Sequence, residues 1–403
     1  MHVVVVGAGV IGVTTAYYLS EAGYDVTVID GADEVADGAS HANGGQLSYS
    51  FTDALAKPEF VAKIPSLIAG HDTGSQMRLA PNLLPWAVRF LTQCTSGRAE
   101  ENTIAVLKTA MRSARLLGDL SDAVPFDFSH RSAGKLVLLA SDEELRLAAK
   151  SSALKNQYGS DTRILSVDET TRIEPALGNI NDSFVGAVYS KSDEVADARL
   201  FTLHMKKWLQ SESNVTFKLG HNVEHLNSER GKLRSVHTNG EDFSADAVVI
   251  CTGAWSNRLL RPHGIDPHIY PVRGYSVTLP PGEDAPTVSV TALKQRIVFS
   301  RINGCMRIAG FADFNGFSTR DDASRIETMI DVAKHYAPMA ADYTATERHQ
   351  WGGFRPMTPN GQPRIGATHV NGLFLNTGHG MLGWTLACAS GYDVTESITK
   401  TLN

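Results

Sequence analysis

The sequence predicts an α/β protein: a Rossmann-like, parallel-stranded unit joined to a second unit with a largely antiparallel sheet. Three observations predict it. The chain opens with the β-branched run His2–Val6, followed at once by Gly7, Gly9 and Gly12. A second such run, Asp25–Ile29, ends at Asp30, about 20 residues after the glycines. Further on, Val215–Lys218, Asn222–Asn227, Leu233–Thr238 and Asp246–Cys251 read as four successive strands, and another β-rich section opens at Pro271.

The first element reads as a buried parallel strand because it is short, apolar and β-branched. In the turn Gly7-Ala8-Gly9-Val10-Ile11-Gly12, Gly7 permits the tight bend. Gly9 lets backbone approach a pyrophosphate, and Gly12 lets the helix pack close to the strand. A helix is predicted over Val13 to Ala22, with Gly23 just past its end. Asp30 then closes the second strand where a carboxylate accepts ribose hydroxyls. Together these parts predict an adenine dinucleotide and do not separate FAD from NAD.

A chain of 403 residues is long enough for about two domains. Its formal charge of −6 and lack of a basic run argue against nucleic acid as a partner. Cys94, Cys251, Cys305 and Cys388 are far apart in sequence, so they predict free thiols rather than a zinc or iron–sulfur site, and a reducing compartment. No metal is expected. The turn at Gly7 leaves no room for a signal peptide, and no run is long and apolar enough to span a bilayer. A cytoplasmic protein is therefore expected.

Between these landmarks, Asp37 to Ser48 is small and polar and reads as a loop with close backbone approach. Prolines punctuate the segment from Pro58 to Pro85. A long helix is predicted from about Glu100 to Ala123, on the apolar face Ile104, Leu107, Met111, Leu116, Leu117 and Leu120. Gly134–Ala140 and Ala187–Tyr189 read as strands. Asp197–Gln210, Ser324–Tyr336 and the stretch after Trp384 read as helices. Strands are expected near Arg296–Ser300, Cys305–Ala309 and Leu373–Asn376. Trp86, with Leu83, Leu84, Phe90 and Leu91, reads either as a buried helix or as a membrane-surface patch.

Two later stretches carry chemistry. Val248–Cys251 is an apolar strand closed by Thr252-Gly253, a turn expected beside a cofactor. Thr377-Gly378-His379-Gly380-Met381-Leu382-Gly383 precedes the last helix and exposes backbone N–H groups at its N-terminus, an anion-binding arrangement.

In this order the motifs resemble the glycine oxidase and D-amino-acid oxidase superfamily of FAD enzymes, most of all its small-subunit-type D-amino-acid dehydrogenases. The matching stretches are Gly38–Ser48, Ile173–Leu177, Leu200–Thr202, Pro271–Ser276, Gly353–Pro363 and Asn376–Thr385. The resemblance implies a discontinuous FAD domain over 1–50, 195–269 and 350–403, and a substrate domain over 51–194 and 270–349. It places Gly7, Gly9, Gly12 and Asp30 on the ADP half, with Ala8, Val10 and Ile11 between them. Ser40, His41, Asn43, Gly44 and Gln46 are placed along the flavin and pyrophosphate, and Val223, Thr252 and Gly253 on the adenosine side. Gly378 to Gly383, His379 included, are placed at the isoalloxazine edge.

Arg355 falls on the arginine that grips the substrate carboxylate, a task suited to an always-charged, two-pronged guanidinium. Tyr275 is a second substrate-side candidate, with a core aromatic as its alternative. The implied reaction is oxidative deamination of a D-amino acid, with Arg355, Tyr275 and His379 at the reacting centre. Electrons are expected to pass to a quinone or other respiratory acceptor, with peripheral contact on the inner face of the cytoplasmic membrane. Oxidation of a secondary amine such as D-proline, D-hydroxyproline or sarcosine, and a flavin-binding subunit of a hetero-oligomer, are the alternatives. FAD is expected to be non-covalent. His41 is the position where some relatives attach the flavin, and a neutral packing role is expected for it here.

Overall fold

The computed structural model describes residues 1–402. Its first sheet has six strands in the order Arg364–Ala367, Leu373–Thr377, Ala247–Ile250, His2–Val6, Asp25–Ile29, Val215–Lys218. All neighbours are parallel except the Arg364–Ala367 edge. The central strands His2–Val6, Ala247–Ile250 and Leu373–Thr377 are largely apolar because both their faces are covered, whereas the edge strands carry Arg364 and Lys218. Val3 and Val5 meet helices Val10–Glu21, Ala198–Glu212 and Gly383–Leu402 on one face. Val4 and Val6 meet Val223, Leu226, Leu233 and Val236 on the other. Those four belong to an antiparallel meander, Val223–Glu229, Lys232–Thr238 and Asp242–Ser244.

The second sheet is largely antiparallel and has nine strands. From one edge run His349–Met357, Tyr270–Leu279, Cys305–Phe314, Ile297–Ile302, Ser289–Ala292, Lys135–Leu139, Gly186–Ser190 and Arg163–Leu165, with Ser75–Met77 added beside Cys305–Phe314. Helix Asp322–Tyr336 packs Ile326, Met329, Ile330 and Ala333 into its core.

The expected elements are present, with shifted ends. The first helix begins at Val10, inside the glycine turn. The long helix begins at Ser96 rather than near Glu100, because the Thr95 side chain accepts from the Arg98 N–H and caps it there. The strand expected at Cys305–Ala309 runs on to Phe314, because it pairs on both sides. Helix Leu84–Gln93 is two-faced: Leu83, Trp86 and Phe90 are buried around it, whereas Leu84, Val88 and Leu91 are exposed. The Trp86 indole donates to Met357 O at 2.8 Å, so of the two readings Trp86 follows the buried helix.

Candidate active site

A single cavity of about 850 Å³ runs from the glycine turn, between the two sheets, to the strand carrying Arg355. At one end the chain closes tightly. A Cβ on Gly7 would come 2.7 Å from Cys251 O, and one on Gly12 would come 1.8 Å from Gly7 O. Strand, turn and helix meet closely only because these positions lack side chains. Asp30 accepts from Ala8 N at 2.6 Å and Ala32 N at 2.9 Å, which holds the turn against the end of the second strand. Ser40 Oγ accepts from Val10 N at 3.0 Å, at the N-terminus of the first helix. This cradle fits a pyrophosphate: a backbone-lined space at a helix N-terminus, with a carboxylate beyond it.

The loop from Ser40 to Gln46 is tied to the second sheet. Ser276 Oγ donates to Ala42 O at 2.6 Å, and Gln46 Nε2 donates to Ser289 Oγ at 2.6 Å, while Gly45 N donates to Asn43 Oδ1 at 2.9 Å within the loop. Gly9, Val10, Ile11, Asn43, Gly44, Gln46, Val223, Thr252 and Gly253 line the cavity, as do His379, Gly380, Met381, Leu382 and Gly383. Ala8, Gly12, His41 and Gly378 do not reach its wall. His41 instead lies parallel to the Trp351 ring, with centroids 6.4 Å apart. Burial, reinforced by the Arg199 charge, lowers the His41 pKa.

His379 is buried, and its Nε2 has no partner among the described residues. Burial pushes its pKa down to about 3, so the ring is neutral. A neutral imidazole with a spare nitrogen in the cavity wall fits a bound group that takes one hydrogen bond.

Arg355 projects from strand His349–Met357 across Gly274 of the neighbouring strand. It donates to Phe311 O at 2.7 Å and Gly310 O at 3.2 Å and has no carboxylate partner among the described residues. Burial lowers its pKa to about 10, against the pull of Asp313 and Tyr275, which leaves it charged at neutral pH. Tyr275 also lines the cavity, but its hydroxyl donates to Asp313 at 2.8 Å. Asp313 is fully buried and is gripped in addition by Arg325 Nε at 2.8 Å and Nη2 at 2.9 Å. Burial, then the Asp313 charge, raises the Tyr275 pKa. The phenol is thus held as a donor to Asp313.

The structure adds wall residues outside the matching stretches, Phe51, Lys135, Thr291 and Trp351, and Arg273 within one of them. Lys135 is 2% exposed, donates to Gln46 Oε1 at 3.0 Å and Ser48 Oγ at 2.8 Å, and lies 4.2 Å from the Phe51 ring centroid. Burial lowers its pKa, and the Asp193 charge works against that. In sequence, Lys135 is one charged residue at the head of an apolar strand, which signals nothing by itself. The four cysteines are free thiols, with Cys251 and Cys388 buried.

A dinucleotide cradle, a buried neutral histidine and a carboxylate-free arginine line one cavity, an arrangement that fits an oxidoreductase with a dinucleotide cofactor beside an anionic substrate. The chain belongs to the DAO family of FAD dependent oxidoreductases, whose family model matches residues 2–397. FAD is its cofactor. It is 37% identical to D-amino acid dehydrogenase 2 of Ralstonia nicotianae, over 99% of this chain and 97% of that protein. It is 36% identical to D-amino acid dehydrogenase of Dechloromonas aromatica, again over 99% and 97%. Its fold matches L-proline dehydrogenase from P. horikoshii with a TM-score of 0.76 at 21% identity, over 99% of this chain and 93% of that one. It matches glycine oxidase from Geobacillus kaustophilus with a TM-score of 0.75 at 22% identity, over 99% and 94%.

Proposed function

We propose that this FAD-dependent oxidoreductase oxidises D-amino acids to imino acids, which water hydrolyses to oxo acids and ammonia. The observation that carries this reading is Arg355, a guanidinium in the cavity wall with no carboxylate partner among the described residues. A charge so placed calls for an anionic ligand, and a substrate carboxylate meets it with two parallel bonds. When bound, FAD supplies the two-electron acceptor that takes the Cα hydride. Arg355 then fixes the substrate's orientation, and the walls exclude water. The substrate ammonium gives up its proton to solvent water as it binds, before the cavity closes around it, so that the bound amine is neutral when hydride leaves. No side-chain base is then needed: burial brings the His379 pKa to about 3, which makes its neutral ring a poor proton acceptor, and the Tyr275 hydroxyl is engaged by Asp313.

In this reading, segments 1–50, 195–269 and 350–403 serve the cofactor and 51–194 and 270–349 serve the substrate, with strand His349–Met357 bringing Arg355 across. FAD is held without a covalent bond, which is supported by the position of His41 outside the cavity wall. Acid precipitation tests this: yellow colour belongs in the supernatant, and a yellow pellet would refute it. Electrons pass to a quinone at a membrane surface. No helix among the described residues is long and apolar enough to cross a membrane, and the exposed face of Leu84, Val88 and Leu91 supports peripheral contact.

Anaerobic bleaching of the flavin by a panel of D- and L-amino acids tests the proposal, followed by re-oxidation with quinone or with air. D-amino acids should bleach it, and quinone should restore the colour faster than air. Bleaching by sarcosine or D-proline alone would move the substrate to secondary amines. Rapid peroxide formation would make the protein an oxidase, and no bleaching by any amine would refute the activity.

A further inference from the structure

The antiparallel meander carries a second cluster of chemistry, outside the cavity. Along strand Val223–Glu229, Val223 and Leu226 are buried while Glu224 and His225 between them are exposed. A strand that simply alternated would bury every second residue. The spacing here is three because the register slips: Val223 pairs with Thr238, and His225 pairs with His237. This bulge turns two consecutive side chains, Glu224 and His225, toward one partner, His237. The ligand atoms of the three residues all lie within 4.8 Å of one another. The two imidazoles face each other with centroids 4.4 Å apart, and His237 Nε2 is 3.9 Å from a Glu224 carboxylate oxygen.

His237 is also oriented from its other side. Its Nδ1 lies 2.6 Å from Asp242 Oδ1, and Asp242 is its cross-strand partner on the third strand. That bond fixes the ring and its tautomer, which leaves Nε2 as an acceptor pointed at the Glu224–His225 pair. A carboxylate bonded to the far nitrogen of a histidine is the arrangement that orients imidazole ligands in metal sites.

We propose that Glu224, His225 and His237 form a binding site for a divalent transition metal, with Asp242 as the positioning residue for His237. Two imidazoles and one carboxylate suit Zn²⁺ and its neighbours Co²⁺, Ni²⁺ and Cu²⁺, while hard cations such as Mg²⁺ and Ca²⁺ favour all-oxygen sets. Three protein ligands leave one position of a tetrahedral ion for water. The ion would join two strands across the bulge, next to Val223, which lines the cavity. The cysteine spacing carries no sign of this site because none of its ligands is a cysteine.

Titration of untagged, FAD-loaded protein with Co²⁺, followed by its visible d–d absorbance and by displacement with Zn²⁺, tests the site. One saturable, Zn²⁺-displaceable Co²⁺ is expected. His225→Ala and His237→Ala should each abolish it, and Asp242→Asn should weaken it by about 10- to 100-fold. Absence of saturable binding in the wild type, or binding unchanged in both histidine variants, would overturn the proposal. An Asp242→Asn variant that binds as the wild type does would remove Asp242 from its role.

Discussion

Gly274 lies against the guanidinium of Arg355: a Cβ added there would come 2.4 Å from Nη2 and 2.6 Å from Cζ. Gly274 sits opposite Gly353 in the antiparallel pair, two residues from Arg355 along its strand. The arginine can therefore cross the neighbouring strand and reach Gly310 O and Phe311 O. Gly274→Ala should displace it without removing its charge. Overpacking of this kind costs about 1–3 kcal/mol of stability, and the displaced fork should raise KM for the amino acid. FAD content should hold, and an unchanged KM would show that the guanidinium has another way to sit.

Arg355→Lys keeps the charge and loses the fork. A desolvated partner of a substrate carboxylate is worth about 2–5 kcal/mol, which should appear mainly in KM. Steady-state kinetics on fully FAD-loaded enzyme decide it. Near-normal constants would take Arg355 out of the carboxylate role.

Asp30 accepts from Ala8 N and Ala32 N, so it shapes the glycine turn as well as facing the ribose side of the cavity. Asp30→Ala should weaken FAD binding and leave the loaded fraction as fast as wild type in anaerobic reduction. Slow reduction of fully loaded enzyme would contradict this.

His379 should make the cofactor-free protein acid-sensitive. The unfolded imidazole takes up a proton near its ordinary value of about 6.5, whereas the buried one does so only at about 3. Because the folded value is the lower, its contribution is intact above about 6.5 and is lost as pH falls from there toward 3, at up to ~1.4 kcal/mol per pH unit. His379→Asn lacks this group. Its unfolding free energy, measured by denaturant titration between about pH 6 and pH 4, should fall less steeply than that of wild type by roughly 1 kcal/mol per unit. Equal slopes would mean that the native ring protonates freely.

Lys135 in the wall and the buried Asp193 behind it compensate one another without touching, and Asp193 Oδ2 has no partner among the described residues. Lys135→Met leaves a buried carboxylate without that charge, so it should cost about 3–5 kcal/mol. Adding Asp193→Asn should restore much of the loss. A double variant as unstable as the sum of the singles would show that the two charges are independent.

The nucleotide end of this site was legible in sequence because it is local. Strand, glycines, helix and Asp30 lie within thirty consecutive residues, and their spacing alone forces the tight turn seen at Gly7 and Gly12. The Gly-Phe-Arg-Pro stretch marked Arg355 by its likeness to a family, and spacing gave no hint of its neighbours. Gly274 meets Arg355, and Lys135 meets Gln46 from 89 residues away, only because strand order and register bring them together. The bulge at Glu224 lies between these cases: the three-residue spacing from Val223 to Leu226 is written in the chain, but its partners His237 and Asp242 are set by pairing across two other strands. Local backbone chemistry is encoded by neighbours in the chain. Which buried charges face one another is decided by long-range pairing, where a shift of one residue turns a side chain to the opposite face.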